Sequence, residues 1–276
     1  MAKCLVTKLK QAVNNPNLPI FVRETMQQFT LDAITASGNS GMTDEQKAAL
    51  NHFFYQIGVF EADPSNTIWG KTKYLFMPII CNKVKAKTLV DYKDDGFNTY
   101  SLDSDVSDNI TFDNYSCVST ISGVTRKTVV IDSAETHNAS DLFVAVGYCA
   151  NPSGNVGAFR VNNSIVYGES IEGTGNTLYA VLCNGVKKRF TIANVPYNRG
   201  LVISTKNGVY DALIIGTTEN YSESTETGTE NVPTTPYSLA VQFSPSPAGI
   251  IMLGSSLSSD EMTTLAVAIR ELVAAM

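Results

Sequence analysis

The feature that most constrains the fold is a long series of short β-type runs in the second part of the chain. From about residue 105 onward, runs rich in Val, Ile, Thr, Tyr and Phe alternate with Gly, Asn, Pro and Ser. Runs of this length between turn signals are typical of strands. The predicted strands are residues 109–112, 127–132, 141–148, 157–161, 164–167, 178–183, 187–192, 200–205, 208–217 and 237–243. They predict a mainly β protein, an antiparallel β-sandwich or jelly roll.

Three dipeptides between these runs are turn signals. Asn162-Asn163, Asn184-Gly185 and Asn207-Gly208 combine residues that tolerate positive φ, as the central positions of tight hairpin turns require. Residues 217–236 differ from the other segments because they are acidic, rich in Ser and Thr and almost devoid of aliphatic side chains. We expect that segment to be a long exposed loop.

The first part of the chain has helical periodicity. Thr43 and Gln46 form a capping-box pattern, and apolar residues then recur at helical spacing until Gly58. This pattern predicts a helix over residues 43–57. Residues 21–36 carry a similar apolar face, and two glycines separate the segments, so the two helices should form a hairpin.

A second capping box, Ser258 to Glu261, begins the predicted C-terminal helix over residues 258–276. Its apolar stripe consists of Met262, Leu265, Ile269, Leu272 and Met276. The stripe must be buried on the chain's own sandwich or against symmetry mates. Packing on the sandwich is favoured because so short a seam does not sustain an independent coiled coil.

Charge divides the chain near residue 90. Residues 1–90 carry a net charge of +4 and residues 91–276 a net charge of −10. We therefore predict a helical N-terminal region, 1–90, and a β-sandwich domain with a C-terminal helix, 91–276. The overall charge of −6 and the absence of a long apolar run indicate no nucleic-acid partner and no membrane span. The first ten residues lack a secretory pattern, so synthesis in a cytoplasm is expected.

The sequence offers little catalytic chemistry. The five cysteines are scattered, and the two histidines, His52 and His137, lie in a helix and a polar turn. Glu169 and Glu172 flank a Gly-rich turn and do not form the carboxylate pair of a glycosidase strand. We predict no catalytic residue, no cofactor and no Cys/His metal site. Residues 103–109 could supply oxygens to calcium, or they are a solvated acidic linker.

The segment from Trp69 to Pro78 mixes cations with aromatic rings. Its rings belong either to the core or to a docking surface. If the N-terminal region has a surface for an acidic neighbour, the first candidates are Trp69, Lys71, Lys73 and Tyr74. The stripe residues Met262, Leu265, Ile269 and Leu272 are the corresponding candidates for assembly.

The order of these features along the chain also matches a known pattern. The chain begins MAKCLVTKLK, continues with FFYQIG at 53–58 and NTIWGKTKYLFMP at 66–78, and closes with LSSDEMTTL at 257–265 after a β-rich body. This arrangement resembles virion proteins of crAss-like and related phages of gut Bacteroidetes, whose β bodies are similar to concanavalin A-like lectin and glucanase domains.

The resemblance implies a non-enzymatic structural or adhesion protein of the virion: a head fibre, a tail fibre or a decoration protein. Its partners would be other virion proteins and a cell-surface glycan, and fibre proteins of this kind are commonly trimeric. The protein would be made in the host cytoplasm. The alternative is a free carbohydrate-binding module or a degenerate glycoside hydrolase.

Overall fold

The structure is a computed structural model that describes residues 24–80, 88–93, 96–101, 110–112, 117–119, 127–130, 141–148, 154–161, 165–172, 177–181, 187–191, 199–206, 209–215, 223–228, 239–243 and 248–276. Its helices are α1 (Gln28–Ala36), α2 (Asp44–Gln56), α3 (Ile68–Lys71) and α4 (Ser259–Ala275), with 3-10 turns at Pro64–Asn66 and Pro78–Ile80. Its strands are β1 (Thr72–Phe76), β2 (Thr88–Val90), β3 (Thr99–Ser101), β4 (Ile110–Phe112), β5 (Cys117–Ser119), β6 (Lys127–Val130), β7 (Asp141–Tyr148), β8 (Gly154–Val161), β9 (Ile165–Glu172), β10 (Thr177–Val181), β11 (Lys187–Thr191), β12 (Arg199–Lys206), β13 (Val209–Ile215), β14 (Glu223–Gly228), β15 (Leu239–Phe243) and β16 (Ala248–Gly254).

Most of these strands form two antiparallel sheets. The first sheet has the order β1-β16-β7-β12-β13-β14, and the second has the order β11-β10-β9-β8-β15-β6. Two shorter ribbons pair β2 with β3 and β4 with β5. The described chain is therefore antiparallel β structure with helices before and after it, which confirms the mainly β prediction.

Each of the ten predicted strands overlaps an observed strand. The three predicted hairpin turns also join strands that are antiparallel neighbours: β8 with β9, β10 with β11, and β12 with β13. The turn dipeptides themselves lie outside the described residues.

The prediction of a loop over residues 217–236 was wrong in part. Within the expected loop, residues Glu223–Gly228 form β14 at an edge of the first sheet, where Ser224 is the register partner of Ile214. Pairing with β13 orders a segment that has no apolar surface of its own. Glu169 and Glu172 lie within β9, of which Glu172 is the last residue, and the Gly-rich residues 173–176 that follow lie outside the described chain. The predictions also missed β16, a central strand next to β7.

Both faces of the first sheet are buried at its centre. Phe143, Ala145 and Val202 belong to the same apolar core as α4. Val144 and Leu201, whose side chains alternate to the opposite face, are also fully buried. The sequence of a strand that is covered on both faces is a continuous apolar run, as in LFVAV of β7.

Helix α4 lies directly on this sheet because two glycines leave room for it. Gly147 and Gly200 are register partners on β7 and β12. A Cβ atom on Gly200 would stand 2.5 Å from the backbone oxygen of Ala266, and one on Gly147 would stand 2.8 Å from Cγ2 of Ile269. Any side chain at Gly200 would therefore push α4 away from the sheet.

The helix starts agree with the predictions. Thr43 caps α2 and Ser258 caps α4, each in a complete capping box. Helix α2 ends at Gln56, and the φ of +85° at Gly58, just after the C-cap Ile57, permits the hydrogen bonds from the backbone N of Gly58 to Tyr55 O and from Val59 N to Phe54 O. The predicted helix over residues 21–36 is observed from Gln28, and residues 21–23 lie outside the described chain.

The two sides of the predicted boundary near residue 90 share a sheet and a core. Strand β1 pairs with β16, and α2 packs against α4. Phe53 of α2 and Leu265 of α4 belong to one apolar cluster. In the described residues, the helical region and the first sheet are thus one packed body.

Candidate attachment and assembly site

The predicted attachment residues lie where α3 passes into β1. Thr67 begins α3 by accepting a hydrogen bond from the backbone N of Gly70. Trp69 is only 9% exposed, with its ring 5.5 Å from that of Phe29 and the Nζ of Lys93 4.0 Å from its ring centre. Trp69 is therefore a core residue with a cation over one face.

The two other rings of this segment are also in the core. Tyr74 and Phe76 are stacked with their ring centroids 6.3 Å apart, and both are buried. They occupy alternate positions of β1 and so share one face of the strand. Both rings therefore pack in the core of the described chain.

Lys71 is held by the start of α4. Its Nζ lies 2.6 and 2.7 Å from the two carboxylate oxygens of Glu261, which also accepts from the backbone N of Ser258 at 2.7 Å. Burial alone would raise the pKa of Glu261, but the hydrogen bonds from Lys71 and Ser258 leave that pKa below its ordinary value. One carboxylate therefore caps α4 and ties it to the α3–β1 segment.

Lys73 is the predicted attachment residue that stays exposed. It lies on β1, at the edge of the first sheet, where a lysine also discourages pairing with another strand. Of the four attachment candidates, Lys73 alone presents its charge to the outside.

The predicted assembly stripe is buried within the chain. Met262, Leu265, Ile269 and Leu272 are each at most 2% exposed. The contacts of α4 with the sheet and with α2 cover them, as expected for packing on the chain's own β structure.

The sequence reasoning missed a polar cluster between α2 and α4. His52, which the sequence placed in a helix, is buried, and its Nδ1 lies 2.9 Å from Oε1 of Glu24. Its Nε2 lies 3.7 Å from Oε2 of Glu271, an ion-pair distance. That oxygen also accepts from Nε2 of Gln56 at 3.0 Å, and Nη2 of Arg270 donates to Glu271 Oε1 at 3.1 Å.

The cluster shifts two pKa values in opposite directions. Burial alone would lower the pKa of His52, but its interactions with Glu271 and Glu24 raise that pKa above its ordinary value. Interaction with His52 lowers the pKa of Glu271, against burial, and the bond from Gln56 lowers it further. Each charged form therefore stabilises the other.

Several candidates of the sequence analysis lie outside the described residues: His137, the acidic segment 103–109, and Cys4, Cys81, Cys149 and Cys183. Cys117 is in β5. In the described part of the chain, no group of three His, Cys, Asp or Glu side chains could hold a metal ion. No helix there is both long enough and apolar enough to cross a membrane.

No protein-family model matches the chain, and no curated protein sequence matches it significantly. Among solved structures, it is similar to the enzymatically active domain of bacteriophage CBA120 tailspike protein 2, with 11% identity over 53% of this chain and 26% of that one, at a TM-score of 0.34. It is similar to the exoplasmic domain of VIP36 bound to Ca2+ and Man3GlcNAc, with 10% identity over 49% and 77% and a TM-score of 0.31. It is also similar to the binding domain of botulinum neurotoxin DC with SialylT, with 11% identity over 75% and 52% and a TM-score of 0.39. Scores this low do not establish a shared fold.

Proposed function

We propose that this protein is a non-enzymatic structural or adhesion component of a phage virion. Residues 1–90 would contribute to attachment, and the strands that follow residue 90 in the two six-stranded sheets would form the projecting sandwich. The alternative of a free carbohydrate-binding module remains the competing hypothesis.

One observation carries this proposal. Of the segments that carry the resemblance to phage virion proteins, 53–58 and 66–78 are close in the sequence and 257–265 is far from both, yet all three meet in one body. The first ends α2, the second contains α3 and β1, and the third begins α4. Lys71 and Glu261 join the second segment to the third through a paired hydrogen bond. Motifs that build one packed unit together support the resemblance better than separate matches would.

Quantitative proteomics of purified particles tests the proposal. The phage that encodes this chain should contain it at a fixed copy number per particle. Its absence from particles, while it is abundant in infected cells, would refute a virion role. Glycan binding by the particle-free protein would then favour the carbohydrate-binding alternative.

A reconstitution assay tests the attachment surface. Particles made without the protein should take up the purified wild type, and Lys73→Glu should bind several-fold less because it reverses the one exposed charge of the candidate set. Lys47→Glu is the matched control, since Lys47 pairs with Asp44 of its own helix. Equal loss in both variants would indicate a general charge effect and would exclude Lys73 as a contact.

A further inference from the structure

The polar cluster that joins Glu24, His52 and Glu271, named here the His52 cluster, connects three separate parts of the chain. Glu24 lies in the segment that leads into α1, His52 lies on α2, and Glu271 lies on α4. Two carboxylates of the described residues face the imidazole, those of Glu24 and Glu271, and Arg270 and Gln56 are bonded to Glu271. The cluster does not depend on the proposed function.

The geometry favours a proton on both ring nitrogens. A neutral imidazole carries one N–H and therefore donates to one side only. If Nδ1 carries the proton, the lone pair of Nε2 faces Glu271. If Nε2 carries it, the lone pair of Nδ1 faces Glu24 at 2.9 Å. Only the imidazolium ion satisfies both carboxylates.

Glu24 depends on this proton more than Glu271 does. Within the described residues, Oε2 of Glu24 is buried with no hydrogen-bond partner, and His52 is the donor to Oε1. Glu271, in contrast, keeps bonds from Gln56 and Arg270. A buried carboxylate without a donor is costly, so loss of the proton on His52 should release Glu24 first.

The segment after Glu24 is anchored by neutral hydrogen bonds to α2. The backbone N of Gln27 donates to Oδ1 of Asn51 at 2.9 Å, and Nδ2 of Asn51 donates to the backbone oxygen of Thr25 at 3.1 Å. These bonds do not titrate. Their presence shows that the segment is packed against α2. The entry to α1 thus has one pH-sensitive contact and several pH-insensitive ones.

We propose that the His52 cluster is a pH-sensitive contact. The imidazolium ion holds the segment at Glu24 against α2 and α4, and deprotonation of His52 releases that segment. The pKa of His52 is raised in the folded protein. The contribution to stability is therefore complete below about pH 6.5, the ordinary value, and is lost as the pH rises through the higher folded value.

An NMR titration tests the proposal in a His137→Gln background, which leaves His52 as the one histidine of the chain. We expect the imidazole to titrate above the ordinary value, and we expect the amide signal of Gln27 to move with the same midpoint. Glu24→Gln should lower the midpoint and uncouple Gln27 from it. Glu61→Gln, at an exposed acid outside the cluster, is the matched control and should leave both unchanged.

Either of two results would overturn the proposal. A midpoint at or below the ordinary imidazole value would mean that burial outweighs the two carboxylates. A midpoint that Glu24→Gln and Glu61→Gln leave equally unchanged would mean that Glu24 does not sense the proton. Glu24→Gln keeps the size and shape of the side chain, and unchanged circular dichroism would show that this variant is folded.

Discussion

The two sides of α4 make different kinds of contact. On the side of the sheet, Ala266 and Ile269 lie against Gly200 and Gly147, and the contact is apolar and close. On the side of α2, Glu271 meets His52 through charges and hydrogen bonds. The first contact depends on shape and should be insensitive to pH. The second depends on protonation and contributes less to stability. One helix therefore combines a steric interface with a titratable one.

Deletion of residues 1–90 should have the largest effect on this arrangement. Two independent domains would leave residues 91–276 folded. The shared core predicts the opposite, because the deletion removes β1 from β16 and α2 from α4. We expect the truncated chain to lose cooperative unfolding and to bind a hydrophobic dye. A cooperative transition in the truncated chain would show that the boundary near residue 90 separates true domains.

The double substitution Leu265→Ala and Leu272→Ala should have the next largest effect. Both side chains are at most 1% exposed. Each truncation should cost about 2 to 5 kcal/mol, or about 4 to 10 kcal/mol together. Denaturant unfolding measures this loss, and Ala274→Ser, at an exposed position of α4, is the control. Sedimentation should show no change of mass, and loss of an oligomer would instead identify the helix as an assembly interface.

Gly200→Ala should disturb the sheet side of α4 alone. The new Cβ would meet the backbone of Ala266, which cannot rotate away, so α4 must shift. Overpacking of this kind costs about 1 to 3 kcal/mol. Gly41→Ala is the matched control, because the nearest atom to its Cβ would be 3.6 Å away. Equal stability of the two variants in denaturant would show that the contact between helix and sheet is loose.

The sequence predicted the parts of this architecture that depend on near neighbours. The capping boxes at Thr43 and Ser258 need residues only three positions apart, and the hairpin strands need a turn and an apolar run. Strand β16 was missed because it is buried on both faces and lacks an alternating pattern. The loop predicted around β14 was wrong because pairing with β13 outweighed its polar composition.

The candidate site was harder to predict because its contacts join residues that are far apart in the sequence. Lys71 and Trp69 were singled out from their local composition, which does not reveal that one is paired and the other buried. The His52 cluster joins residues 24, 52 and 271, and no spacing rule connects them. A histidine next to apolar helix positions was the only local signal. Such a histidine more often packs than titrates.

Glu271→Gln should have the smallest effect, and it is confined to the α2 side of α4. The pKa of Glu271 is lowered in the folded protein, so its charge contributes stability above about pH 4.3, the ordinary value, and loses it as the pH falls through the folded value. The side chain is 38% exposed, so the contribution at neutral pH should be below about 1 kcal/mol. Denaturant unfolding of both proteins between pH 3 and pH 7 measures it. We expect the wild type to be the more stable at neutral pH and the difference to vanish in acid, because the wild-type carboxyl is then neutral like the amide. Asp260→Asn, at an exposed acid of the same helix, serves as the control. If the loss of stability in Glu271→Gln is equally large in acid, the contact does not depend on the charge of Glu271. The two sides of α4 would then both depend on shape.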